Sequence, residues 1–350
     1  LRGAGYVAMF VVLYLLWDLT YGANDIAYWS MLPALTLDQK EREKTGAFAR
    51  ICANIGLFVT VVAILPVTNE LGGDTRAWLI TAIAIVVITW AFLGFTVFGV
   101  KEDKSIHVEQ ESTSLRDMFS VLFKNDQLLY TAISMGLFMI GYVTTTGFGV
   151  YFFKYAYKDE GMYSIFAAIL GVSQLTALAV FPLFSNRYSR KTLYEIATVL
   201  VVIGYIIFFF APVNMLFIGA AGILLFIGEA FIQLLMLMFL TDTVEYGQWK
   251  LGRRNESITF SVQPFINKIG GAIANGIVGV TLIISGINAA ETPDDVTDSG
   301  LLIMKLAMLI LPIVFIVAGY IIYRKKFKID EQMYENIISD LEARGDIHNS

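Results

Sequence analysis

Runs of apolar residues, each long enough to cross a bilayer as a helix, recur along the whole of this chain. Lipid offers no hydrogen-bond partner to a bare backbone N–H or C=O group, so such segments must be helical. The composition agrees, because 57% of the 350 residues are hydrophobic and only 16% are charged. We therefore predict an all-α polytopic membrane protein with nine spans, over residues 4–30, 46–68, 77–99, 128–155, 161–184, 193–212, 215–241, 257–286 and 301–323.

The loops between the predicted spans alternate in charge. Loops rich in Lys and Arg follow the first, third, fifth, seventh and ninth spans, whereas APVN and NAAETPDDVTDSG on the opposite side carry none. The loop KYAYKDEGM, with Lys154 and Lys158, is the weakest fit to this alternation. By the positive-inside rule the basic loops are cytoplasmic. We expect a multi-pass protein of the cell inner (plasma) membrane with a cytoplasmic C-terminus.

A long polar stretch over 101–127 divides the chain unevenly. Three predicted spans lie in 1–100 and six in 128–329, and a charged tail over 330–350 includes EQMYENIISDLEA, which is predicted to be partly helical. Transporters are often built from repeated halves of equal size. The uneven division, together with a first residue that is Leu1 and not methionine, leads us to expect three further helices ahead of it.

The first predicted span carries two acids and several aromatic residues. Ionisable groups inside a span cost free energy and generally face a cavity or a partner. Asp18 and Asp25 share one helical face, Tyr14 and Tyr21 flank it, and Trp29 lies one turn beyond Asp25. An acid beside an aromatic ring suits a sugar, whose hydroxyls donate to the carboxylate while its C–H face stacks on the ring. The alternative is that Asp18 pairs with another helix and Trp29 anchors the interface.

Two further spans carry polar pairs one helical turn apart. Arg50 and Asn54 begin the second span, and the short connection before them allows Arg50 to face Asp25; alternatively, Arg50 snorkels to the membrane surface. Glu229 and Gln233 lie within GILLFIGEAFIQLLMLMF. Glu229 either lines a cavity or is merely packed in its protonated form, because burial disfavours the charged carboxylate.

The eighth span contains four polar residues in SVQPFINKIGGAIANGIVGV, namely Gln263, Asn267, Lys268 and Asn275. Lys268 lies about three turns into the span and is its only base, so it needs an anionic partner or water. Pro264 interrupts the helical hydrogen bonds one turn earlier and permits a bend. Together, the polar residues of the spans predict a cavity lined by carboxylates, one lysine, amides and aromatic rings.

Several classes of function lack the residues that they require. Cys52 is the only cysteine, and the two histidines, His107 and His348, lie in the polar stretch and the tail. We find no metal-ligand cluster, phosphate-binding glycine loop or Ser-His-Asp set in the sequence. We therefore expect a protein that is not an enzyme, binds no metal or cofactor, and has no nucleic-acid partner.

Two long motifs resemble a known transporter family. NDIAYWSMLPALTLDQKEREKTGAFAR and TDTVEYGQWKLGRRNESITFSVQPFINKIGG, with LFKNDQLL at the fourth span, resemble the glycoside–pentoside–hexuronide:cation symporters of the major facilitator superfamily. The resemblance covers the whole chain and is greatest to the lactose and raffinose permeases, with melibiose carriers more distant. It implies the major facilitator superfamily fold of twelve helices, of which this chain would supply helices 4–12.

The resemblance also implies roles for individual residues. Asp25 corresponds to an aspartate that binds both sugar and cation, and Trp29 to a tryptophan beside the sugar ring. Gln233 stands where melibiose carriers have a tryptophan, which puts ring stacking on that wall in question. The other implied substrate-binding positions are a pocket-wall tyrosine, an arginine near the sugar, and a glutamine and a lysine of the cavity, which are Tyr21, Arg50, Gln263 and Lys268.

The function that the resemblance implies is secondary active transport by alternating access. The expected substrate is a galactoside or another glycoside of the lactose, raffinose or melibiose type, and the coupling cation is H⁺ or Na⁺. A pentoside or hexuronide symporter and a lysophospholipid carrier are the alternatives, and we expect the full-length protein to act as a monomer. The charged clusters LDQKEREK, NRYSRK and EYGQWKLGRRNES are predicted either to pair between helix bundles or to be solvated at the surface. Asp18, Asn54, Glu229, Asn267 and Asn275 are possible additional cavity residues.

Overall fold

The computed structural model describes residues 3–36, 38–100 and 115–347, and nearly all of these residues are helical. The helices, in chain order, are α1 Ala4–Leu35, α2 Gln39–Glu70, α3 Thr75–Gly99, α4 Leu115–Lys124, α5 Asp126–Tyr151, α6 Met162–Ser185, α7 Arg190–Phe210, α8 Met215–Leu251, α9 Glu256–Ile284, α10 Asp298–Lys305, α11 Leu311–Lys326 and α12 Glu331–Ala343. Two π-helical turns, Phe152–Ala156 and Leu306–Ile310, extend α5 and join α10 to α11.

The predicted all-α membrane class is confirmed. Within the described residues, eight helical segments are long and apolar enough to cross a membrane, judged by length and composition. The predicted span 46–68 lies in α2, which is helical but is not among those eight, and some of its side chains lie outside the description. Of the predicted linker 101–127, residues 101–114, with His107, lie outside the described residues, as does His348 of the tail.

The structure extends the predicted helices at two places, the end of α8 and the C-terminal tail. α8 has 37 residues and continues to Leu251, ten residues past the predicted end, where Gly252 adopts a left-handed conformation (φ 72°) that terminates it. A bilayer needs only about 20 helical residues, so the last turns of α8 extend beyond the predicted membrane region. The tail segment EQMYENIISDLEA forms α12, whose first turn is capped by Asp330 accepting a hydrogen bond from the Met333 N–H at 2.9 Å.

α8 is the central helix of the bundle. Its apolar residues occur on every side, and its side chains are buried almost continuously from Leu234 to Gln248. Small residues let α7 and α8 approach closely. A Cβ atom at Gly228 would lie 2.7 Å from the Ala197 carbonyl oxygen, and one at Gly204 would lie 2.9 Å from the backbone nitrogen of Leu225. Around this pair, α6 packs on α8, and α5 packs against α9 and α11.

The first three helices are much more exposed than α8. The apolar window of α1 is 0% buried and that of α3 is 6% buried, against 78% for α8. α1 packs mainly on α9, and α2 packs mainly on α6. α2 also contacts α8, so sites shared by the first helices and the rest of the bundle lie along the faces that α1 and α2 turn toward α6, α8 and α9.

The close approach of α7 and α8 predicts a large effect of adding one methyl group. We expect Gly228→Ala to lower the stability of the full-length protein by about 1–3 kcal/mol, because its Cβ would clash with the α7 backbone. Thermal unfolding in detergent measures the change. Gly276→Ala is the matched control, since nothing lies within 4 Å of a Cβ atom there. Equal unfolding temperatures for the two variants would contradict the packing described.

Candidate functional site

Three of the predicted site residues meet where α1 and α2 face each other. Trp29 Nε1 donates a hydrogen bond to Asp25 Oδ1 at 3.0 Å, across one turn of α1. The guanidinium carbon of Arg50 on α2 lies 4.5 Å from the centroid of the Trp29 ring, a cation–π contact. Arg50 also interacts electrostatically with Asp25, and its buried Nε atom has no hydrogen-bond partner among the described residues. An acid, a base and an aromatic ring thus lie within one contact group.

A small cavity adjoins this group. Arg50 and Asn54 of α2 line one side of it, and Gln174 of α6 and Gln233 of α8 line the other, together with three apolar residues. The Tyr142 hydroxyl of α5 lies near both glutamines, and Gln174 Nε2 has no hydrogen-bond partner among the described residues. Amide and hydroxyl groups from α2, α5, α6 and α8 therefore converge beside Arg50, and such groups can bind the hydroxyls of a small polar ligand.

Lys268 of α9 pairs with an anion on α1, whereas the amides that line the cavity lie on α2, α6 and α8. Its ammonium group forms an ion pair with Asp18 of α1, and Tyr14 and Tyr21 act on it electrostatically. Within the described part of the chain, the ion pair of Lys268 is with Asp18 and not with Asp25. Tyr21 is exposed and its ring stacks on that of Trp17 at 5.7 Å. The α1–α9 contact thus carries a second group of predicted residues.

The contacts described above do not include the remaining candidates, which are Gln263, Asn267, Asn275 and Glu229. Gln263 is buried and Asn267 half-buried, and each has a side-chain oxygen with no hydrogen-bond partner among the described residues. Asn275 is exposed. Glu229 is fully buried and lies near Tyr205 of α7.

A buried ionic network lies at the end of the bundle that contains the α1–α2 turn. Arg42 is fully buried and donates from both terminal nitrogens to Glu245 of α8, at 2.8 and 3.2 Å. It also donates to the backbone carbonyls of Thr36 and Pro33 at 2.7 and 3.2 Å. Burial alone would lower the pKa of Arg42, but the Glu245 carboxylate raises this pKa above its usual value, so the pair is ionic.

Two other arginines complete this network. Arg190 of α7 donates to Glu43 of α2 at 2.7 Å and to Asp242 of α8 at 2.5 Å. Arg254, just before α9, donates to Glu245 at 3.1 Å and to the Pro33 carbonyl at 3.4 Å. We refer to these six charged residues as the charge network: Arg42, Glu43, Arg190, Asp242, Glu245 and Arg254.

α12 covers the charge network from outside. The Tyr334 hydroxyl accepts a hydrogen bond from Arg42 at 2.8 Å, and burial raises the pKa of Tyr334, which keeps the phenol neutral. Trp249 at the end of α8 donates to Asp340 at 3.0 Å, and Arg344 donates to the Trp249 carbonyl at 3.1 Å. The predicted charged tail is therefore docked on the same buried charges that join α2 to α8.

Sequence reasoning missed some residues of these groups. Tyr142, Gln174 and Tyr205 are polar residues within predicted apolar spans, which is the signal that could have identified them. Tyr334 carried no such signal, because it lies in a charged tail. The charged clusters were predicted either to pair between bundles or to be solvated at the surface, and their individual partners were not predictable.

The charge network predicts an effect on stability that depends on burial. Glu245→Gln leaves the buried Arg42 guanidinium without its carboxylate partner, whereas Arg254 keeps its ion pair with Glu256, and removing one partner of a buried pair costs about 3–5 kcal/mol. We expect a lower unfolding temperature for the full-length protein and faster hydrogen exchange in α12. Asp294→Asn breaks the exposed Lys158–Asp294 pair and should change stability by less than about 1 kcal/mol. Similar losses of stability in the two variants would show that burial of the Glu245 ion pairs adds nothing to the cost of breaking them.

Comparison with known proteins places these groups in context. The family model described as MFS/sugar transport protein matches residues 1–331. A raffinose carrier protein from Pediococcus pentosaceus is 34% identical over 345 residues, which cover 96% of this chain and 54% of the carrier. A lactose permease from Lactobacillus delbrueckii subsp. bulgaricus is 32% identical over 348 residues, which cover 97% of this chain and 55% of the permease. The chain thus spans about half the length of the curated relatives it matches.

A solved structure matches the fold. The major facilitator superfamily transporter FucP, crystallised in an outward conformation, aligns with a TM-score of 0.62 and covers 87% of this chain and 73% of that chain. The sequence identity is 13%, so this likeness concerns the fold alone. It confirms the fold that the sequence motifs predicted.

Proposed function

Because the chain belongs to the MFS/sugar transport protein family, we propose that the full-length protein is a secondary active transporter that carries a glycoside together with H⁺ or Na⁺. The names of its relatives, a raffinose carrier protein and lactose permeases, support a galactoside as the substrate. The family and the fold are those of transporters and not of enzymes. The chain is a multi-pass membrane protein, and its C-terminus is proposed to be cytoplasmic.

The contact group of Asp25, Trp29 and Arg50 is the observation that carries this proposal. A sugar ring presents hydroxyls that donate to a carboxylate and a C–H face that stacks on an aromatic ring, and Asp25 and Trp29 offer both within one turn of α1. In this conformation Arg50 covers one face of the Trp29 ring. A sugar that stacks on that face displaces Arg50, whose guanidinium can then donate to a sugar hydroxyl.

Coupling follows from the charge of the same group. A cation that binds near Asp25 offsets its negative charge and strengthens sugar binding, and the sugar must strengthen cation binding by the same factor. We propose Asp25 as the residue shared by both ligands. Trp29, Arg50, Tyr21, Gln233, Gln263 and Lys268 are proposed to contact the sugar during the cycle.

Alternating access needs a part of the bundle that can close and open. The charge network joins α2 to α7 and α8 in the present conformation, and α12 covers it. We propose that this end faces the cytoplasm and that the network breaks when the site opens inward. The broken charges would then be hydrated by the water that enters, which offsets the loss of the ion pairs.

Replacement of one carboxylate oxygen of Asp25 by an amide nitrogen tests this function. We expect Asp25→Asn in the full-length protein to lower sugar-dependent cation uptake into proteoliposomes about 10- to 100-fold, because a hydrogen bond to a charged group contributes about 1.5–3 kcal/mol. The control is Asp74→Asn, which keeps an N-cap acceptor at the start of α3. Undiminished coupled uptake by Asp25→Asn would refute the assignment. Competition by a lysophospholipid but not by galactosides would refute the substrate class.

A further inference from the structure

Glu229 is a buried acid to which the proposed sugar site gives no role. It lies in the middle of α8 with 0% of its surface exposed. The Tyr205 hydroxyl of α7 lies 3.3 Å from Glu229 Oε1, and Oε2 has no hydrogen-bond partner among the described residues. An acid so placed is either an uncompensated charge or a neutral carboxyl group.

The hydrogen bonds around Tyr205 distinguish these two states. The Tyr205 oxygen lies 2.7 Å from Thr145 Oγ1, which lies 2.9 Å from the Met308 carbonyl oxygen. A carbonyl only accepts and each hydroxyl has one hydrogen, so Thr145 donates to Met308 and Tyr205 donates to Thr145. The third contact, between Tyr205 and Glu229, then needs a hydrogen from Glu229. An ionised carboxylate would leave two hydrogens for three contacts.

The groups that face Glu229 from neighbouring helices are neutral. α7 contributes Tyr205, and α5 contributes Tyr142, which interacts electrostatically with Glu229 and lies near Gln174 of α6 and Gln233 of α8. The base that lines the adjacent cavity, Arg50, interacts with Asp25. An ionised carboxylate buried without a cation costs several kcal/mol, whereas a carboxylic acid that donates one hydrogen bond does not.

We propose that Glu229 is a proton-binding site of the six-helix bundle and that it holds a proton in this conformation. The site is distinct from Asp25, which lies on α1 and has Arg50 beside it. The proton is held by the hydrogen-bond chain that runs from Glu229 through Tyr205 and Thr145 to Met308.

The position of this hydrogen-bond chain suggests how the proton enters and leaves the site and what causes its release. Met308 lies in the π-helical turn Leu306–Ile310, and such turns occur frequently at functional sites because they break the regular backbone pattern. On the other side, Tyr142 connects Glu229 to the glutamines that line the cavity beside Arg50. When α2 moves away from α7 and α8 in the proposed cycle, water that enters the cavity beside Arg50 reaches Tyr142 and Glu229, so the proton leaves. This step rests on the proposed transport cycle, and it names H⁺ as an ion that the cycle exchanges.

Infrared spectroscopy of the full-length protein in lipid tests the protonation directly. We expect a carboxylic-acid C=O band at neutral pH that shifts in D₂O and is missing in Glu229→Gln. The amide that this substitution introduces can donate to Tyr205 as the acid does, so the variant should fold. Glu160→Gln, which changes an exposed carboxylate, is the control and should leave the band in place. Tyr205→Phe should keep the band but shift it, because the acid loses its acceptor. A band that persists unchanged in Glu229→Gln overturns the proposal.

A transport assay distinguishes this proposal from the proposed function. We expect galactoside exchange by the wild-type protein to vary with pH and that by Glu229→Gln to vary much less, because the variant cannot release a proton. If the wild-type protein moves no galactoside while Glu229→Gln lacks the infrared band, the sugar function fails and the proton site stands. If exchange occurs and its pH profile is the same in both proteins, the proton at Glu229 takes no part in the cycle and the proposal fails.

Discussion

The position of the candidate sugar site depends on one buried carboxylate, Glu245. Arg42 and Arg254 both donate to it, and both also donate to the Pro33 carbonyl near the end of α1. The end of α1 is therefore held against α8 and the start of α9 by two guanidinium groups that share one anion. Trp29 lies one turn before Pro33, so the same contacts set where the Trp29 ring meets α2. The candidate sugar-binding face and the charge network are thus linked through the same end of α1.

A buried ionic network suits the opening that the proposed transport cycle requires. The desolvation of two charges offsets much of their mutual attraction, so a buried pair contributes little net stability. Removal of one partner is costly, but separation of both into water is not, because each charge regains its hydration. An apolar contact of the same area lacks this property, since exposure to water always costs free energy. The charge network can therefore hold α2 against α7 and α8 firmly when dry and release them when water enters.

The sequence was sufficient to predict most of the helices and the residue pairs that lie one turn apart. It did not predict contacts between helices, because these depend on how each helix is rotated about its own axis. Apolar runs located the spans, and the one-turn spacing placed Trp29 against Asp25. The end of α8 was missed because TDTVEYGQWK is polar, and its burial comes from α12 and the arginines of other segments. The pairing of Lys268 with Asp18 follows from the packing of α9 on α1, which no local pattern encodes. Glu229 was undecided for the same reason, since its state is set by hydroxyl groups on α5 and α7.

Asp25 and Glu229 differ in the charge of the groups that surround them, and this difference separates their proposed roles. Asp25 has a guanidinium group nearby and an indole N–H that donates to it, and both interactions favour a carboxylate. Within the described part of the chain, the polar groups that contact Glu229 are neutral hydroxyls, and the hydrogens available among them require an acid. An anionic group binds a cation or sugar hydroxyls as they arrive, whereas a neutral acid stores a proton until its surroundings change. A rearrangement that moves Arg50 off Trp29 and lets water reach Glu229 would alter both environments at once, which would link ligand and proton across separate helices.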